Sequence, residues 1–230
     1  MSGEHLATAL AQARRVAPRQ DVALWLLDLG DPTCQACVTA LSDVERERVG
    51  RLVFDRDRRR MAAARGTLKV LLGAWVGQAP SQLRLSARDG GKPWMPDHPG
   101  VFFNLSHSQD RALIAVTHVG EVGADLEVLR PEPGLPALAE RVFTPSEQAE
   151  LLSDGDAADP VQRFFRGWTR KEACLKAAGW GLALDPQTFE VGTGEETRRI
   201  RLAHGSQRSD LDLMSLSLTP LVAAAVAVQC

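Results

Sequence analysis

Hydrophobic positions along the chain switch between a helical and a strand period, and the switches lay out the elements in order. Residues 5–16 place Leu6, Ala9, Leu10, Ala13 and Val16 at the spacing of a short amphipathic helix. The apolar run at 22–29, interrupted only by Asp28, predicts a buried strand, closed by the turn residues Gly30, Asp31 and Pro32. A helical period returns from Ser42 and is strongest over 55–75, where Met61, Ala64, Leu68, Leu71, Leu72 and Trp75 share a face. Residues 101–105 and 112–117 read as two strands joined by a loop holding Ser106, His107 and Ser108. A Pro-rich connection then leads to 135–143, and Thr144-Pro145-Ser146-Glu147 forms a capping box opening a short helix. Residues 153–159 read as a loop, 182–191 and 199–203 as strands, and 210–219 with 221–228 as a closing hairpin.

Two stretches break the simple pattern by placing charge where apolar residues belong. The helix of 160–182 has Asp159 as N-cap, Pro160 at its first position and Gly179 as its stop. Its stripe is Val161, Phe164, Phe165, Trp168 and Leu175, and Glu172 lies inside that stripe, with Lys176 one turn further on. An exposed Glu–Lys pair is the usual meaning of that spacing, but a carboxylate within a core-facing stripe is costly unless it has a task. In 121–128, Val122, Ala124, Leu126 and Val128 alternate with Gly123, Asp125 and Glu127, so the two acids leave one strand on the same side. Either this is an edge strand with a solvated acidic face, or the two acids share a cation.

Composition narrows the function. The chain has 230 residues, a net charge of −2 and no run of 18 apolar residues, so a strongly basic nucleic-acid binder and a membrane-spanning protein are not expected. Cys34 and Cys37 form a lone C-x-x-C without a second pair, which reads as reduced thiols in a cytoplasmic protein. Arg56, Arg58, Arg59, Arg60 and Arg65, with Lys69, crowd one helix; they are consistent with a solvated face or with an anion site. A Leu-Lys pair recurs as Leu68-Lys69 and Leu175-Lys176, each followed by a closing hairpin, which suggests two related halves with a site between them. Asp125, Glu127 and Glu172 together form an oxygen-only set suited to Mg²⁺, and the nearby cations suit a phosphate ester or pyrophosphate.

Four motifs in order carry a resemblance. They are Gly91-Lys92-Pro93, the run Phe103 to Ser108 (FNLSHS), Gly123-Ala124-Asp125-Leu126-Glu127, and W-x-x-K-E-A-x-x-K from Trp168 to Lys176. The stretch from about residue 60 to 184 resembles the Sfp-type 4′-phosphopantetheinyl transferases. The resemblance implies an α+β fold, a pseudo-dimer of two similar α+β halves (1–119 and 120–230) with the active site in the cleft. It implies a monomer that moves the phosphopantetheine arm of coenzyme A onto a serine of an acyl or peptidyl carrier protein. Asp125, Glu127 and Glu172 match the family's Mg²⁺ ligands, Glu172 its general base and Lys176 its pyrophosphate lysine. Arg60, Gly91, Lys92, Pro93, Ser106 and His107 match its coenzyme A contacts. A non-catalytic coenzyme A or carrier-protein binding relative and a Mg²⁺-dependent phosphohydrolase are the competing expectations.

Overall fold

The computed structural model describes residues 15–16, 21–88, 90–152 and 159–230. The helix expected over 5–16 lies outside them except for its last two residues, which form strand β1 (Arg15–Val16). The loop expected over 153–159 lies outside them apart from Asp159. Strand β1 pairs with β2 (Val22–Asp28), followed by α1 (Pro32–Ala36), α2 (Asp43–Gly50) and the long α3 (Asp55–Val76). Short strands β3 (Ser86–Ala87) and β4 (Pro93–Trp94) carry the Gly-Lys-Pro turn between them, and β5 (Phe102–Ser108) with β6 (Arg111–Thr117) closes the first sheet. Its order is β1-β2-β6-β5.

The second sheet takes β7 (Val122–Val128) and, after α4 (Leu135–Val142), α5 (Pro145–Leu151) and α6 (Pro160–Ala178), the strands β8 (Arg198–His204), β9 (Gln207–Ser215) and β10 (Val222–Gln229). Its order is β7-β10-β9-β8. Three apolar layers hold the stack together. Leu68, Leu71 and Leu72 of α3 bury against Trp25, Phe103 and Ile114 of the first sheet. Leu24 and Leu113 meet Val122, Leu126, Val226 and Val228 between the sheets. Ala173, Leu175 and Ala177 of α6 cover Leu211, Leu213, Ala225 and Ala227 on the far side. The α+β architecture expected from the sequence is the one observed, as helix, sheet, sheet, helix. Among the described residues no helix is long and apolar enough to cross a membrane.

Several local expectations are corrected. Ser106, His107 and Ser108 do not form a loop: β5 runs on to Ser108, and the hairpin turns at Gln109 and Asp110, with Gln109 at φ 52. The strand expected over 182–191 is two 3₁₀ turns, Gly181–Ala183 and Pro186–Thr188, the second capped by Asp185 Oδ1 accepting from Gln187 N at 2.9 Å. A proline with an Asx cap favours a turn over a strand there. The solvated acidic edge is also excluded for β7, because Asp125 is only 4% exposed. Helix α6 buries more than a stripe, since Arg163, Arg166, Arg170 and Lys171 are buried too. Arg170 shows how: Nε and Nη2 donate to Val191 O at 2.9 and 2.6 Å, and Nη1 donates to Glu196 O and Ser215 Oγ, both at 2.9 Å. Long cationic side chains satisfied by carbonyls pass for a polar face in sequence.

Candidate active site

Gly123 sets the geometry of the site. A Cβ there would sit 2.0 Å from Ala173 O and 2.3 Å from Ala177 N, so only glycine lets α6 lie directly on β7. Register pairs Gly123, Asp125 and Glu127 with Ala227, Ala225 and Ala223 of β10, small residues that leave room for the helix. Two acids of β7 are thereby brought under the last turns of α6, which carry Glu172 and Lys176.

Each of the three carboxylates has an oxygen to spare. Asp125 Oδ1 accepts from Ser106 Oγ at 2.7 Å and from Lys176 Nζ at 2.6 Å, whereas Oδ2 is buried with no partner. Glu127 Oε2 accepts from Ser108 Oγ at 2.7 Å and from Arg130 Nη1 at 2.8 Å. Arg130 is held over the Phe165 ring, 4.8 Å from its centroid. Glu172 is half-buried and makes no hydrogen bond or ion pair among the described residues. Burial pushes its carboxyl pKa up, Asp125 and Glu127 push it further, and Lys176 opposes them. Among the described residues no three His, Cys, Asp or Glu side chains form a ready-made metal cage. A buried, partnerless carboxylate oxygen beside an unpaired, repelled carboxyl nevertheless fits a hard cation with oxygen preference.

Of the expected anion-binding residues, Lys176, Arg60, Lys92 and Ser106 are engaged with protein groups. Lys176 Nζ reaches Ser106 Oγ at 3.2 Å as well as Asp125. His107 leaves β5 on the side opposite Ser106. Crowding by protein lowers its pKa, and the Lys176 and Arg60 cations add to the effect. Arg60 is clamped to Asp110, Nε to Oδ1 at 2.7 Å and Nη2 to Oδ2 at 2.8 Å. Lys92 Nζ is 2.6 Å from Glu121 Oε2 and donates to Ala177 O at 3.2 Å. Burial lowers the Lys92 pKa, against the pull of Glu121. Gly90 presses on the end of α6: a Cβ there would lie 2.5 Å from Gly179 O, and its φ is +84. Gly91 and Pro93 line a cavity of about 510 Å³ together with Arg48, Arg65, Lys69 and Ser86. Sequence reading named Asn104 and Ser108 only as part of a motif and a polar loop, without their contacts to β7, and it assigned Arg130 no role. The N-x-S-x-S alternation of β5 signals the first two once that stretch is read as strand.

Similarity to known proteins gives the class of protein to which this cluster of carboxylates and a lysine belongs. Residues 31–119 match the N-terminal model of the 4′-phosphopantetheinyl transferases, and residues 121–226 match the model of the 4′-phosphopantetheinyl transferase superfamily. The chain is 42% identical over 168 residues to the 4′-phosphopantetheinyl transferase HetI of Nostoc sp., covering 71% of this chain and 70% of that one. It is 32% identical over 180 residues to a phosphopantetheinyl transferase of Thraustochytrium sp. (73% and 62%), and 29% over 157 residues to a 4′-phosphopantetheinyl transferase of Bacillus subtilis (67% and 67%). The chain thus spans about two thirds of the length of these relatives. It belongs to the 4′-phosphopantetheinyl transferase superfamily.

Proposed function

We propose that this chain transfers the 4′-phosphopantetheine arm of coenzyme A to a serine hydroxyl of an acyl or peptidyl carrier protein. The observation that carries the site assignment is the unpaired Glu172 carboxylate beside Asp125, whose one oxygen is held by Lys176 and whose other is free. Asp125, Glu127 and Glu172 are the residues that hold Mg²⁺, which when bound neutralises charge on the pyrophosphate of coenzyme A. Glu172, which has no protein partner among the described residues, accepts the proton of the carrier serine. The serine oxygen bonds to the phosphorus bearing the pantetheine arm. The phosphoanhydride bond breaks, and adenosine 3′,5′-bisphosphate leaves. Lys176, in contact with Ser106, takes up charge developing on the leaving phosphate. Arg60, Lys92, Ser106 and His107 with the Gly91–Pro93 turn hold the coenzyme, Arg60 after releasing Asp110. The working unit is a cytoplasmic monomer whose halves are 1–119 and 120–230.

Intact-protein mass spectrometry of an apo carrier protein with this chain, coenzyme A and Mg²⁺ tests the reading. A gain of one phosphopantetheine group that EDTA abolishes is expected. No gain across several carrier types, with coenzyme A still bound, would favour the non-catalytic binding relative. Coenzyme A cleavage without any carrier would favour a phosphohydrolase.

A further inference from the structure

Strands β5 and β7 are edge strands of different sheets, β5 pairing with β6 and β7 with β10. They adjoin without a backbone ladder, and side chains make the joint instead. Three alternate residues of β5 climb β7 in step: Asn104 Oδ1 accepts from Ala124 N at 3.0 Å, Ser106 Oγ donates to Asp125, and Ser108 Oγ donates to Glu127. Residues two apart leave a strand on one side, so this seam is a single face of β5. Asn104 and Ser106 are buried in it.

We propose that this seam aims the carboxylates of β7, and that Ser108 is the positioning residue for Glu127. The chemistry of Ser108 is directional. Its oxygen accepts from Val128 N at 3.2 Å, so its single proton is left for Glu127 Oε2 at 2.7 Å. One oxygen of Glu127 is thus pinned, by Ser108 from the neighbouring sheet and by Arg130 from its own chain segment, and the other is left to coordinate. Ser106 does the same to Asp125, whose Oδ2 is buried and unpartnered. Removing a partner that orients a metal's ligand typically costs about ten- to a hundredfold in metal affinity. Ser106 therefore has a task besides the phosphate contact implied by the resemblance. The proposal rests on the reading of Asp125, Glu127 and Glu172 as metal ligands.

The test is Mn²⁺ binding followed by electron paramagnetic resonance, with and without coenzyme A, on the full chain. Ser108→Ala should weaken Mn²⁺ binding about tenfold or more, and Ser108→Thr, which keeps the hydroxyl, should restore it. In a Glu127→Gln background, Ser108→Ala should add no further loss, because the two act through one carboxylate. Coenzyme A binding in metal-free buffer and the thermal midpoint of Ser108→Thr should match the wild type, which separates positioning from folding. Wild-type Mn²⁺ affinity in Ser108→Ala, losses that add in the double variant, or failure of Thr to rescue would each overturn the seam while leaving the metal reading intact. No Mn²⁺ binding by the wild type, with coenzyme A present, would overturn both.

Discussion

Asp125 Oδ1 lies 2.6 Å from Lys176 Nζ, while Oδ2 of the same buried carboxylate has no partner. The lysine is the counter-ion that makes a buried aspartate tolerable, since a carboxylate enclosed without a cation is strongly penalised. Lys176→Met should therefore destabilise the protein in EDTA by about 1–3 kcal/mol. Mg²⁺ should recover part of that loss by taking the lysine's place beside Asp125. Thermal unfolding with EDTA and with Mg²⁺ measures both; equal losses in the two buffers would remove the metal from this argument.

Glu172 gives an effect of the opposite sign. Its folded-state pKa is raised above the ordinary 4.5 by burial first and by the neighbouring acids second. Ionising it therefore costs the fold stability, a cost absent below the unfolded pKa and complete once pH has risen through the folded pKa. Glu172→Gln should abolish transfer and yet melt no lower than the wild type at neutral pH in metal-free buffer. Its advantage should fade as pH falls through the raised folded-state pKa and be gone once pH is below the ordinary 4.5. A variant that loses both transfer and stability at neutral pH would show that Glu172 is a structural acid.

Gly123→Ala probes the contact between β7 and α6. The added methyl would sit 2.0 Å from Ala173 O and 2.3 Å from Ala177 N, both backbone atoms that cannot step aside alone. Helix and strand would have to separate, carrying Glu172 and Lys176 off Asp125. A loss of about 3 kcal/mol is expected, at the upper end for overpacking, together with loss of transfer in the protein that remains folded. Urea unfolding and the carrier-modification assay read the two effects.

The thiols should sort by burial rather than by the C-x-x-C spacing. Burial pushes the Cys34 thiol up to about 11 and the Cys174 thiol up to about 12, and it raises Cys37 as well. Cys230 is exposed. Thiolate is the reactive form, so iodoacetamide under native conditions should label Cys230 and spare the other three until the protein unfolds. Peptide mapping by mass spectrometry checks this, and rapid labelling of Cys34 or Cys37 would reopen a redox role for the pair.

Much of this was legible in the sequence because it obeys periodicity. The alternation at 121–128 placed Asp125 and Glu127 on one face, and the stripe of α6 placed Glu172 against it. What stayed hidden depends on contacts between distant segments. The two serines of β5 lie 19 residues from the acids they bind. A polar N-x-S-x-S run looks like a loop until its partner strand is known, because serine and asparagine favour turns whenever they lack a buried partner. Arg60 shows the converse: basic crowding left a solvated face and an anion site both open, and it could not show that the fold supplies Asp110 from a hairpin 50 residues away. The strand expected over 182–191 failed because Pro186 and the Asp185 cap outweigh a run of apolar residues.

Lys171, the residue before Glu172, is the cation that sequence inspection would most readily place in solvent. Its Nζ instead lies 2.7 Å from Glu147 Oε2, with both side chains 1% exposed. It also donates to Pro186 O at 2.7 Å and to Phe189 O. Glu147 in turn accepts from Thr144 N at 3.0 Å and, through Oε1, from Val191 N at 2.7 Å. One ion pair thus ties α5, α6, the second 3₁₀ turn and the segment after it into a block that fixes the rotation of α6, and with it the direction of Glu172. Lys171→Met removes the cation but leaves a buried carboxylate and two carbonyls behind, so it should cost about 3–5 kcal/mol. Glu147→Gln keeps the shape and most acceptors but strands the ammonium, and should also be costly. The double variant, which removes both charges, should lose less than the sum of the singles by about 1–3 kcal/mol. Urea denaturation of the three proteins gives the coupling energy directly. Strict additivity would mean that each charge is satisfied by backbone alone, and that the pair does not hold the helix in register.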